Sequence, residues 1–572
     1  MQSFKGTDIN IFSVDNRNFE RDLAANNRFT SWPIVYILYD SRCVYIGETT
    51  TLLNRFLTHN QTEDKKRLIN RLVVSSDYFN KSVTLQLEAY LIKLFSGDGR
   101  LRVLNLNWGM SNHRYFNQSN YEHVFPDVWS ALLEKNIAAN TVKEINNSDL
   151  FKYSPYKTLN ADQQSAIVEL LEGLKENRAT VFIKGGAGTG KTILAIYVMK
   201  MLCTPLNNVS LTELDDSFSR VVYPLIIEIQ KRFKDPASEI ALVVPMTSLR
   251  GTLRKVFRSI ENLSGKMVIG PTDLQHKKYA LLIIDEAHRL KKRKNITNYK
   301  SHDNVNKALK FPSNSTEYDG DELDWILKQS KSRIFFYDGK QSIRPSDIAD
   351  EKFGSILNQE ATLQLELKSQ VRSLGGDLYT SFVDDLLHGN LEPGQQFRSD
   401  HYEIAMVDTI AELKKKIEKL DSKLGLSRLA AGFAWEWKSK PRHKRHLYDI
   451  ELEGISLRWN STNKDWINSA NAIQEVGCIH TTQGYDLNYI GIIFGEEIGY
   501  DPIKKEIIVR KEKYMDQNGR NGTDLEDLKS YIINIYQTLL LRGIKGTFIY
   551  CCDPYLKDYF KQHVQSSVNN RL

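Results

Sequence analysis

Residues 185–192 read Gly-Gly-Ala-Gly-Thr-Gly-Lys-Thr, and only Lys184 separates them from the predicted strand at 180–183. This is the pattern GxxxxGK[ST], placed between a predicted strand and a predicted helix. Gly185, Gly188 and Gly190 permit a backbone whose successive N–H groups converge on a phosphate chain. A glycine-rich turn without a ligand is the alternative, but the order of strand, loop and helix favours nucleotide binding.

Two polar side chains of this loop and a second motif complete the predicted nucleotide site. Lys191 is expected to reach the terminal phosphates, and the hydroxyl of Thr192 is expected to ligate Mg²⁺. Farther along the chain, residues 281–288 read Leu-Leu-Ile-Ile-Asp-Glu-Ala-His. A buried strand there would deliver carboxylates to its C-terminal end, where open α/β sheets bind ligands. We expect Asp285 to hold Mg²⁺ through water and Glu286 to orient or deprotonate the attacking water.

Apolar strands and amphipathic helices alternate from Leu159 onward. Such a pattern predicts a parallel sheet covered on both faces, so the predicted fold class is α/β. The pattern resumes beyond residue 360, which indicates a second α/β unit after a smaller α+β domain. The predicted domains are 1–133 (an N-terminal segment and a domain with its core at 32–116), a linker at 134–158, a first α/β lobe at 159–360 and a second lobe at 361–572.

Composition excludes several classes of protein. The 572 residues include 77 Lys+Arg and 70 Asp+Glu, a formal net charge of +7, with 41% hydrophobic residues. No apolar run approaches the roughly 20 residues that a membrane-spanning helix needs, and no secretory signal is expected. Five scattered cysteines without a CxxC pair argue against a disulfide framework and a structural zinc site. We therefore expect a cytoplasmic protein without a membrane partner, whose charge tolerates a nucleic-acid partner without requiring one.

Six further segments carry helicase-like residues in a fixed order. The part of the chain from Leu159 to about Phe560 resembles the superfamily 1 helicase-type ATPases, most closely the Schlafen-like helicase domain. The resemblance implies two RecA-like lobes that hold ATP in the cleft between them. The segments that carry it are 159–163 (LNADQ), 242–249 (LVVPMTSL), 337–341 (YDGKQ), 370–373 (QVRS), 478–495 (CIHTTQGYDLNYIGIIFG) and 536–546 (YQTLLLRGIKG).

The resemblance assigns a role to one or two residues in several of these segments. It implies that Gln163 contacts the adenine and that Gln341 senses the γ-phosphate. Arg372 and Arg542 would enter the site from the second lobe when the cleft closes, and such arginines add several powers of ten to the rate. The fifth motif has Gln483 and Gly484 at its centre. The alternatives are surface arginines at positions 372 and 542 and an ordinary loop glutamine at position 341.

Residues 33–107 contain a second set of candidate catalytic residues. They are Tyr36 in PIVYILYD, Tyr45-Ile46-Gly47 in CVYIGET, Arg55 and His59 in NRFLTHN, Glu88 in QLEAYLIKLF and Asn105 in VLNLNWG. This set resembles the GIY-YIG nuclease domain, although the first glycine and isoleucine of that family are here Ile34 and Val35. Two antiparallel strands would place the two tyrosines on one face, and residues 55 and 59 share a helical face.

Phosphodiester hydrolysis needs an activated water and neutralised charge. By the family pattern, Glu88 ligates a divalent metal ion, Tyr36 or Tyr45 is the base, and Arg55 stabilises the developing charge. His59 is expected to be structural at least as much as catalytic. Three alternatives to a catalytic role remain. Tyr36 and Tyr45 could be ordinary core aromatic residues, and Arg55 and Glu88 could form a plain salt bridge. The domain could also be inactive and only bind nucleic acid.

Weaker signals come from two basic clusters and two aromatic residues. Residues 291–294 and 441–446 are candidates for gripping phosphate backbones, with solvated loops as the alternative. Trp435 and Trp437 are candidates for stacking on bases of a single strand, and otherwise they belong to the core.

The complete prediction is an ATP-dependent helicase or translocase fused to a metal-dependent endonuclease that cuts DNA or RNA. ATP and Mg²⁺ are the expected cofactors, with one divalent ion at each site. The architecture resembles that of bacterial anti-phage defence proteins. Two rival interpretations remain: an ATPase switch that senses nucleic acid and licenses cutting without movement, and a helicase whose N-terminal domain binds without cutting.

Overall fold

The computed structural model describes most of the chain, in two compact units. The first unit comprises residues 1–164, 196–232 and 254–265, and the second comprises 165–195, 233–253 and 266–572. Pro441 and Arg445, named above in a basic cluster, lie outside the described residues. The described residues are 2–3, 9–14, 31–60, 63–105, 115–116, 118–157, 159–176, 178–206, 217–312, 320–440, 442–444 and 446–566.

The first unit is built on a six-stranded sheet in the order β1-β2-β5-β3-β4-β6. Its neighbouring strands are antiparallel except β4 and β6, which run parallel. The tight turn between β3 and β4 is fixed by Asp40, whose carboxylate accepts the backbone N–H groups of Arg42 (2.7 Å) and Cys43 (2.6 Å). The strands are β1 (Gln2–Ser3), β2 (Asn10–Ser13), β3 (Ile34–Tyr39), β4 (Cys43–Thr49), β5 (Asn70–Ser75) and β6 (Arg102–Val103).

The longest helix of this unit, Lys81–Asp98, covers one face of the sheet. Asn80 caps its N-terminus by accepting the backbone N–H of Val83 (3.1 Å), and Gly99 ends it in a left-handed conformation. Apolar residues at a spacing of four are buried against β3 and β4. The other helices are Leu52–His59, Glu63–Lys66, Gln118–Glu122, Phe125–Glu134, Val142–Asn147, Asp149–Lys152 and Ser217–Gln230.

The segment 134–158 differs from the predicted linker. Thr141 and Glu144 form a capping box that starts the helix Val142–Asn147, so the polar residues that suggested a loop serve as helix caps. Ile145 and Tyr156 are buried in the same hydrophobic core as the long helix. This segment therefore packs against the long helix Lys81–Asp98.

The first lobe is a six-stranded parallel sheet in the order β12-β7-β11-β10-β8-β9. Its strands are β7 (Thr180–Gly185), β8 (Ile240–Val243), β9 (Val268–Ile269), β10 (Tyr279–Ile284), β11 (Ser330–Tyr337) and β12 (Thr362–Leu367). The strand β12 lies beyond the lobe boundary predicted at residue 360, and it pairs with β7 along its length. The helices are Ala161–Lys175, Lys191–Cys203, Pro236–Glu239, Thr247–Ser259, Tyr299–Ala308, Glu322–Gln329 and Asp350–Leu357.

The second lobe has a seven-stranded sheet in the order β13-β21-β18-β14-β17-β16-β15, parallel except for the pair β15–β16. A separate hairpin, β19–β20, completes the lobe. The strands are β13 (Glu403–Met406), β14 (Ser427–Ala431), β15 (Ile450–Leu452), β16 (Ile455–Trp459), β17 (Glu475–Gly477), β18 (Leu487–Phe494), β19 (Ile498–Asp501), β20 (Glu506–Val509) and β21 (Gly543–Cys551). The helices are Gly376–His388, Ile410–Leu424, Ile479–Thr482, Gln517–Arg520, Leu525–Leu540 and Pro554–His563.

The predicted fold class is confirmed: a small α+β domain precedes two lobes with parallel sheets. Within the described part of the chain, no helix combines the length and the apolar composition that crossing a bilayer requires.

Candidate active sites

The phosphate-binding loop connects β7 to the helix that begins at Lys191. Gly188 and Gly190 have φ values of 84° and 86°, the left-handed region that favours glycine. At Gly188 an added Cβ would lie 2.0 Å from Oε1 of Gln370, so the loop and the segment after β12 are in close contact. Gln370 Nε2 also donates to the carbonyl of Ala187 (2.6 Å). Sequence reasoning gave Gln370 no role, since no local pattern reveals so distant a contact.

Lys191 is buried at the centre of this loop. Its ammonium donates to the carbonyl oxygens of Gly185 (2.6 Å) and Gly186 (2.8 Å) and lies 3.3 Å from the carboxylate of Asp338. Asp338 follows β11 and also accepts from Nε2 of Gln341 (2.5 Å). The predicted γ-phosphate sensor and the loop lysine therefore share one carboxylate. Asp338 lay within a recognised motif but had been assigned no role.

Thr192 and Asp285 form the predicted metal-binding pair. The Thr192 hydroxyl donates to Oδ2 of Asp285 (2.8 Å), which is fully buried directly after β10. Oδ1 of Asp285 has no hydrogen-bond partner among the described residues. Burial, and then the negative charge of Glu286, raise the pKa of Asp285 above its ordinary value. A hydroxyl beside a carboxylate with one unsatisfied oxygen fits a hard divalent cation such as Mg²⁺.

Glu286 occupies a strained backbone position, with φ 53° and ψ 47°. Its Oε2 lies 2.9 Å from Nε2 of His288. Burial alone would raise the pKa of Glu286, but the contact with His288 and the charges of His288, Lys191 and Arg542 together hold it below its ordinary value. The carboxylate is therefore ionised, as a group that orients or activates water must be. His288 was part of the quoted motif, but sequence reasoning assigned it no function.

The two predicted arginines of the second lobe have different environments. Arg542 is buried, its Nη1 lies 3.5 Å from the carbonyl of Tyr485, and its charge acts on Glu286. Arg372 instead forms an ion pair with Asp486 in the fifth motif. The residue before it, Val371, donates its backbone N–H to the carbonyl of Gly188 (3.0 Å). Both arginines thus lie where the second lobe meets the nucleotide site.

The fifth motif lies against the first lobe. Gln483 is fully buried, and neither polar atom of its amide has a hydrogen-bond partner in the described part of the chain. Gly484 has φ 85°, and an added Cβ would approach Leu249 Cδ2 at 3.1 Å and Met246 Cε at 3.3 Å. Only a residue without a side chain fits this approach without displacing those side chains.

Gln163 lies in the first turn of the helix Ala161–Lys175 and is buried. Its backbone N–H donates to Oδ1 of Asn160 (2.8 Å), and its Oε1 accepts the backbone N–H of Asn160 (3.2 Å). These bonds form a capping box. The adenine contact of Gln163 stays a prediction.

Of the basic cluster 291–294, Arg293 is ion-paired with Asp303 (2.7 Å). A paired arginine is less suited to binding a phosphate backbone than an arginine without an acidic partner.

In the N-terminal domain, Tyr36 on β3 lies opposite Gly47 on β4. An added Cβ on Gly47 would lie 2.2 Å from the Tyr36 hydroxyl oxygen, so the phenol ring covers this glycine. The YIG sequence therefore has a steric cause: only glycine leaves room for the ring of Tyr36.

Tyr36 and His59 form a buried pair, with the hydroxyl oxygen 2.7 Å from Nε2. Burial, and then the charge of Tyr45, raise the pKa of Tyr36 far above its ordinary value, while Arg55 acts in the opposite direction. Burial and the positive charges of Lys65, Arg55 and Arg71 lower the pKa of His59 to about 3. At neutral pH a neutral phenol therefore faces a neutral imidazole.

The remaining predicted nuclease residues surround this pair. The ring of Tyr45 lies 6.2 Å from that of Tyr36 and 5.2 Å from that of His59, between centroids. Glu88, on the helix Lys81–Asp98, is partly buried and its charge acts on Tyr36. Asn105 accepts the backbone N–H of Ile46 (3.1 Å) and donates to its carbonyl (2.6 Å), so it braces β4.

The family assignment follows from the extent of the sequence match. The model of the Schlafen group 3 DNA/RNA helicase domain matches residues 178–553, about two thirds of the chain. The chain belongs to the Schlafen group 3 helicase family. This Schlafen group 3 protein also matches the GIY-YIG catalytic domain at residues 33–100. Both resemblances predicted from the sequence are confirmed, and the chain combines a helicase-type ATPase with a nuclease domain, whose common substrate is nucleic acid.

The similar proteins have low sequence identity to this chain. The uncharacterized protein YPL245W of Saccharomyces cerevisiae is 24% identical over 450 residues, which cover 70% of this chain and 90% of that protein. The crystal structure of arterivirus nonstructural protein 10 (helicase) is 11% identical with a TM-score of 0.27, and the match covers 68% of this chain and 63% of that one. The Pif1 helicase from Candida albicans is 9% identical with a TM-score of 0.27, over 71% of this Schlafen group 3 chain and 99% of that chain.

Proposed function

We propose that this protein is an ATP-driven translocase that positions a metal-dependent endonuclease on DNA or RNA in the cytoplasm. The observation that carries the proposal is the electrostatic environment of Glu286. The charges of Lys191 from the first lobe and of Arg542 from the second both lower the pKa of this carboxylate. A site completed from two lobes couples hydrolysis to their opening and closing, and that cycle can step along a strand.

The proposed roles in the ATP site follow from these contacts. Thr192 and Asp285 would hold Mg²⁺, which neutralises phosphate charge when it is bound. Lys191 and the loop glycines bind the phosphates, Glu286 orients the attacking water, and Arg542 stabilises the transferred charge, with Arg372 as the second arginine. The remaining nucleotide contacts are proposed for Gln163, Gln341, Gln483 and Gly484.

The proposed chemistry of the nuclease site starts from the pair Tyr36–His59. A neutral phenol is a poor base, so Tyr36 must lose its proton before it can accept one from water, and the charge of Arg55 favours that ionised form. His59, whose Nε2 lies 2.7 Å from the phenol oxygen, holds the hydroxyl in position. Arg55 would stabilise the pentacoordinate phosphate, and Tyr45 is the alternative base. Glu88 would hold one divalent ion, since Mg²⁺ commonly uses one or two carboxylates together with substrate phosphates and water.

A contact inside the first unit favours a second candidate, an ATPase switch that licenses the nuclease. The helix that begins at Lys191 carries Lys200 about two and a half turns later. The Lys200 ammonium is buried, donates to the backbone carbonyl of Asn105 (3.3 Å) and lies 3.5 Å from the ring centre of Tyr156. Because Asn105 braces Ile46 beside Tyr45, this contact supports a mechanical path between the ATP helix and the nuclease strands.

The proposed domains follow the packing. The nuclease domain would include its helical extension to residue 157, the first lobe would run from residue 159 to the end of β12, and the second lobe would follow.

The experiment that tests the proposal incubates purified protein with Mg²⁺, with and without ATP. The substrates are labelled blunt, 5′-tailed and 3′-tailed duplexes of DNA and of RNA, and Lys191→Ala and Glu88→Ala are assayed beside the unaltered protein. We expect Lys191→Ala to abolish ATP hydrolysis and strand displacement, and Glu88→Ala to abolish cleavage while hydrolysis continues. ATP hydrolysis without strand displacement favours the switch, and cleavage by Glu88→Ala refutes the nuclease assignment.

We also propose a role in defence against phages, which rests on the joining of nuclease and helicase alone. Equal survival of phage challenge with and without the gene would refute it.

A further inference from the structure

The second lobe contains a cavity of about 190 Å³ beside the strand β16. Its lining includes Trp437, Lys440, Arg458 and Asn460, none of which belongs to the nucleotide site described above. By this measure roughly 10–15 Å³ is enough to hold one water molecule, so the cavity has room for a group far larger than water. A flat ring system is a group of that size.

The walls of this cavity are fixed by two buried carboxylates. Asp449 accepts the backbone N–H (2.8 Å) and the hydroxyl (2.6 Å) of Ser439, and also the backbone N–H of Trp459 (2.9 Å). Glu475 accepts the backbone N–H of Ser461 (2.9 Å) and the indole N–H of Trp466 (2.8 Å). The loop that carries Trp437 is thus tied to β16, and the cavity does not depend on a ligand for its shape.

Two polar groups of the lining have unsatisfied hydrogen-bonding capacity. Asn460 is 1% exposed, and its Nδ2 donates to the carbonyl of Thr462 (3.2 Å) and to Oδ1 of Asn463 (3.1 Å). Its Oδ1 has no hydrogen-bond partner within the described ranges, and the same is true of Nε of Arg458. The guanidinium of Arg458 is partly buried: it lies 4.5 Å from the ring centre of Tyr448 and its Nη2 donates to the carbonyl of His446 (3.4 Å), which leaves Nε as the donor without a partner. A buried acceptor and this unsatisfied N–H call for a ligand that supplies the complementary pair.

The remaining surroundings select the class of that ligand. Trp437 offers a partly buried indole face, and the ammonium of Lys440 lies 5.5 Å from its ring centre. The exposed Lys444 lies in the basic segment that follows. Aromatic faces beside cations are the usual platform for bases of single-stranded nucleic acid. A nucleobase with an exocyclic amino group also offers a donor next to an acceptor along its edge.

We propose that this cavity binds one unpaired nucleobase of the strand on which the ATPase acts, an inference that rests on the proposed function. The base stacks on Trp437, its exocyclic amino group donates to Oδ1 of Asn460, and its ring nitrogen or carbonyl accepts from Nε of Arg458. The adjoining phosphates lie near Lys440. Cytosine and adenine satisfy both partners, whereas thymine and uracil lack the amino group, so the pocket discriminates between bases.

The test measures the affinity of labelled homopolymeric oligonucleotides by fluorescence anisotropy. The variants are Trp437→Ala, Arg458→Ala and the matched control Lys438→Ala, which removes one positive charge from an exposed position on the same loop. We expect the unaltered protein to bind oligo-dC roughly ten-fold more tightly than oligo-dT, and Arg458→Ala to lose this preference. Trp437→Ala should weaken binding roughly ten-fold, and Lys438→Ala should change the preference little.

Three controls separate the outcomes. Trp437→Phe keeps an aromatic face, so retained affinity in that variant shows that the loss in Trp437→Ala is not unfolding. The rate of ATP hydrolysis without nucleic acid should be equal in all variants. Failure of the unaltered protein to hydrolyse ATP would refute the proposed function and not the binding of a base in this cavity. Equal affinities for oligo-dC and oligo-dT would overturn the recognition of the base by Asn460 and Arg458. Competition by free cytidine monophosphate at the same concentration of nucleotide would overturn the inference that a strand is bound.

Discussion

The hydroxyl of Thr252 in the first lobe lies 2.9 Å from the hydroxyl of Tyr485 in the second. Both groups are buried, and the carbonyl of Tyr485 lies 3.5 Å from Nη1 of Arg542. Tyr485 thus contacts both the opposite lobe and Arg542, the arginine proposed to stabilise the transferred charge. We expect this side chain to couple the approach of the two lobes to the placement of Arg542.

Removing this hydroxyl by Tyr485→Phe should lower ATP hydrolysis in the presence of nucleic acid by roughly five-fold, since a buried neutral hydrogen bond contributes about 1 kcal/mol. The Michaelis constant for ATP should change less than kcat, because the phosphate-binding loop is intact. The matched control is Tyr402→Phe, which removes a comparable bond to Thr547 (2.7 Å) inside the second lobe. An equal loss of kcat in both variants would mean that the interlobe bond has no special role.

Gly47→Ala should abolish cleavage and leave ATP hydrolysis unchanged. The new methyl carbon would lie 2.2 Å from the hydroxyl oxygen of Tyr36, and neither β-strand can move without breaking the pairing of β3 with β4. A cleavage assay and an ATPase assay on the same preparation measure the two effects. Gly354→Ala is the control, because an added Cβ there meets nothing within 4 Å, and full cleavage by Gly47→Ala would refute the packing of Tyr36.

Acid should destabilise the nuclease domain through His59. The folded-state pKa of His59 is about 3, below the ordinary value of 6.5 in the unfolded chain, so between these values the unfolded state binds more protons. The contribution of His59 to the free energy of unfolding is therefore fully present above pH 6.5. It is lost as the pH falls from there towards 3, by about 1.4 kcal/mol per pH unit. Hydrogen exchange of the β3 and β4 amides at pH 6.5, 5.5 and 4.5 measures this slope.

The control for the pH effect is His59→Gln, which keeps an acceptor for the Tyr36 hydroxyl but does not titrate in this range. Exchange in this variant should depend less on pH than in the unaltered protein, after correction for the intrinsic exchange rate. Identical slopes in the two proteins would show that another group is responsible.

The parts of the ATP site that were predictable from sequence are those fixed by local pattern. Gly188, Lys191 and Thr192 lie in one loop, and Asp285 follows an apolar strand, so strand–loop spacing alone brings them to one edge of a sheet. Asp338 also follows a strand and lay within a quoted motif. Its contact with Lys191 depends on which strands are neighbours, and that strand order is not encoded locally.

Two structural features near the predicted domain boundaries were not visible in the sequence for a related reason. The strand β12 was assigned to the second lobe because sequence order separates it from β7, its partner in the sheet. The helices of segment 134–158 are short, and polar residues such as Thr141 and Ser148 resemble loop residues until their caps are seen. In the nuclease domain, by contrast, Tyr36 and Tyr45 come together because adjacent antiparallel strands alternate predictably.

Substitution of Lys200 tests whether the helix that begins at Lys191 transmits the state of the ATP site to the nuclease domain. Lys200→Met keeps most of the side-chain volume but removes the ammonium that donates to Asn105 and lies over Tyr156. We expect ATP hydrolysis and cleavage without ATP to stay within about two-fold of the unaltered protein, since neither site loses a residue. The effect of ATP on the cleavage rate should fall by roughly five-fold, because a buried hydrogen bond contributes about 1 kcal/mol. Lys231→Met, at an exposed position of the same unit, is the control. If ATP changes cleavage equally in both variants, the contact at Asn105 only holds the unit together, and the nuclease must respond to ATP through another route.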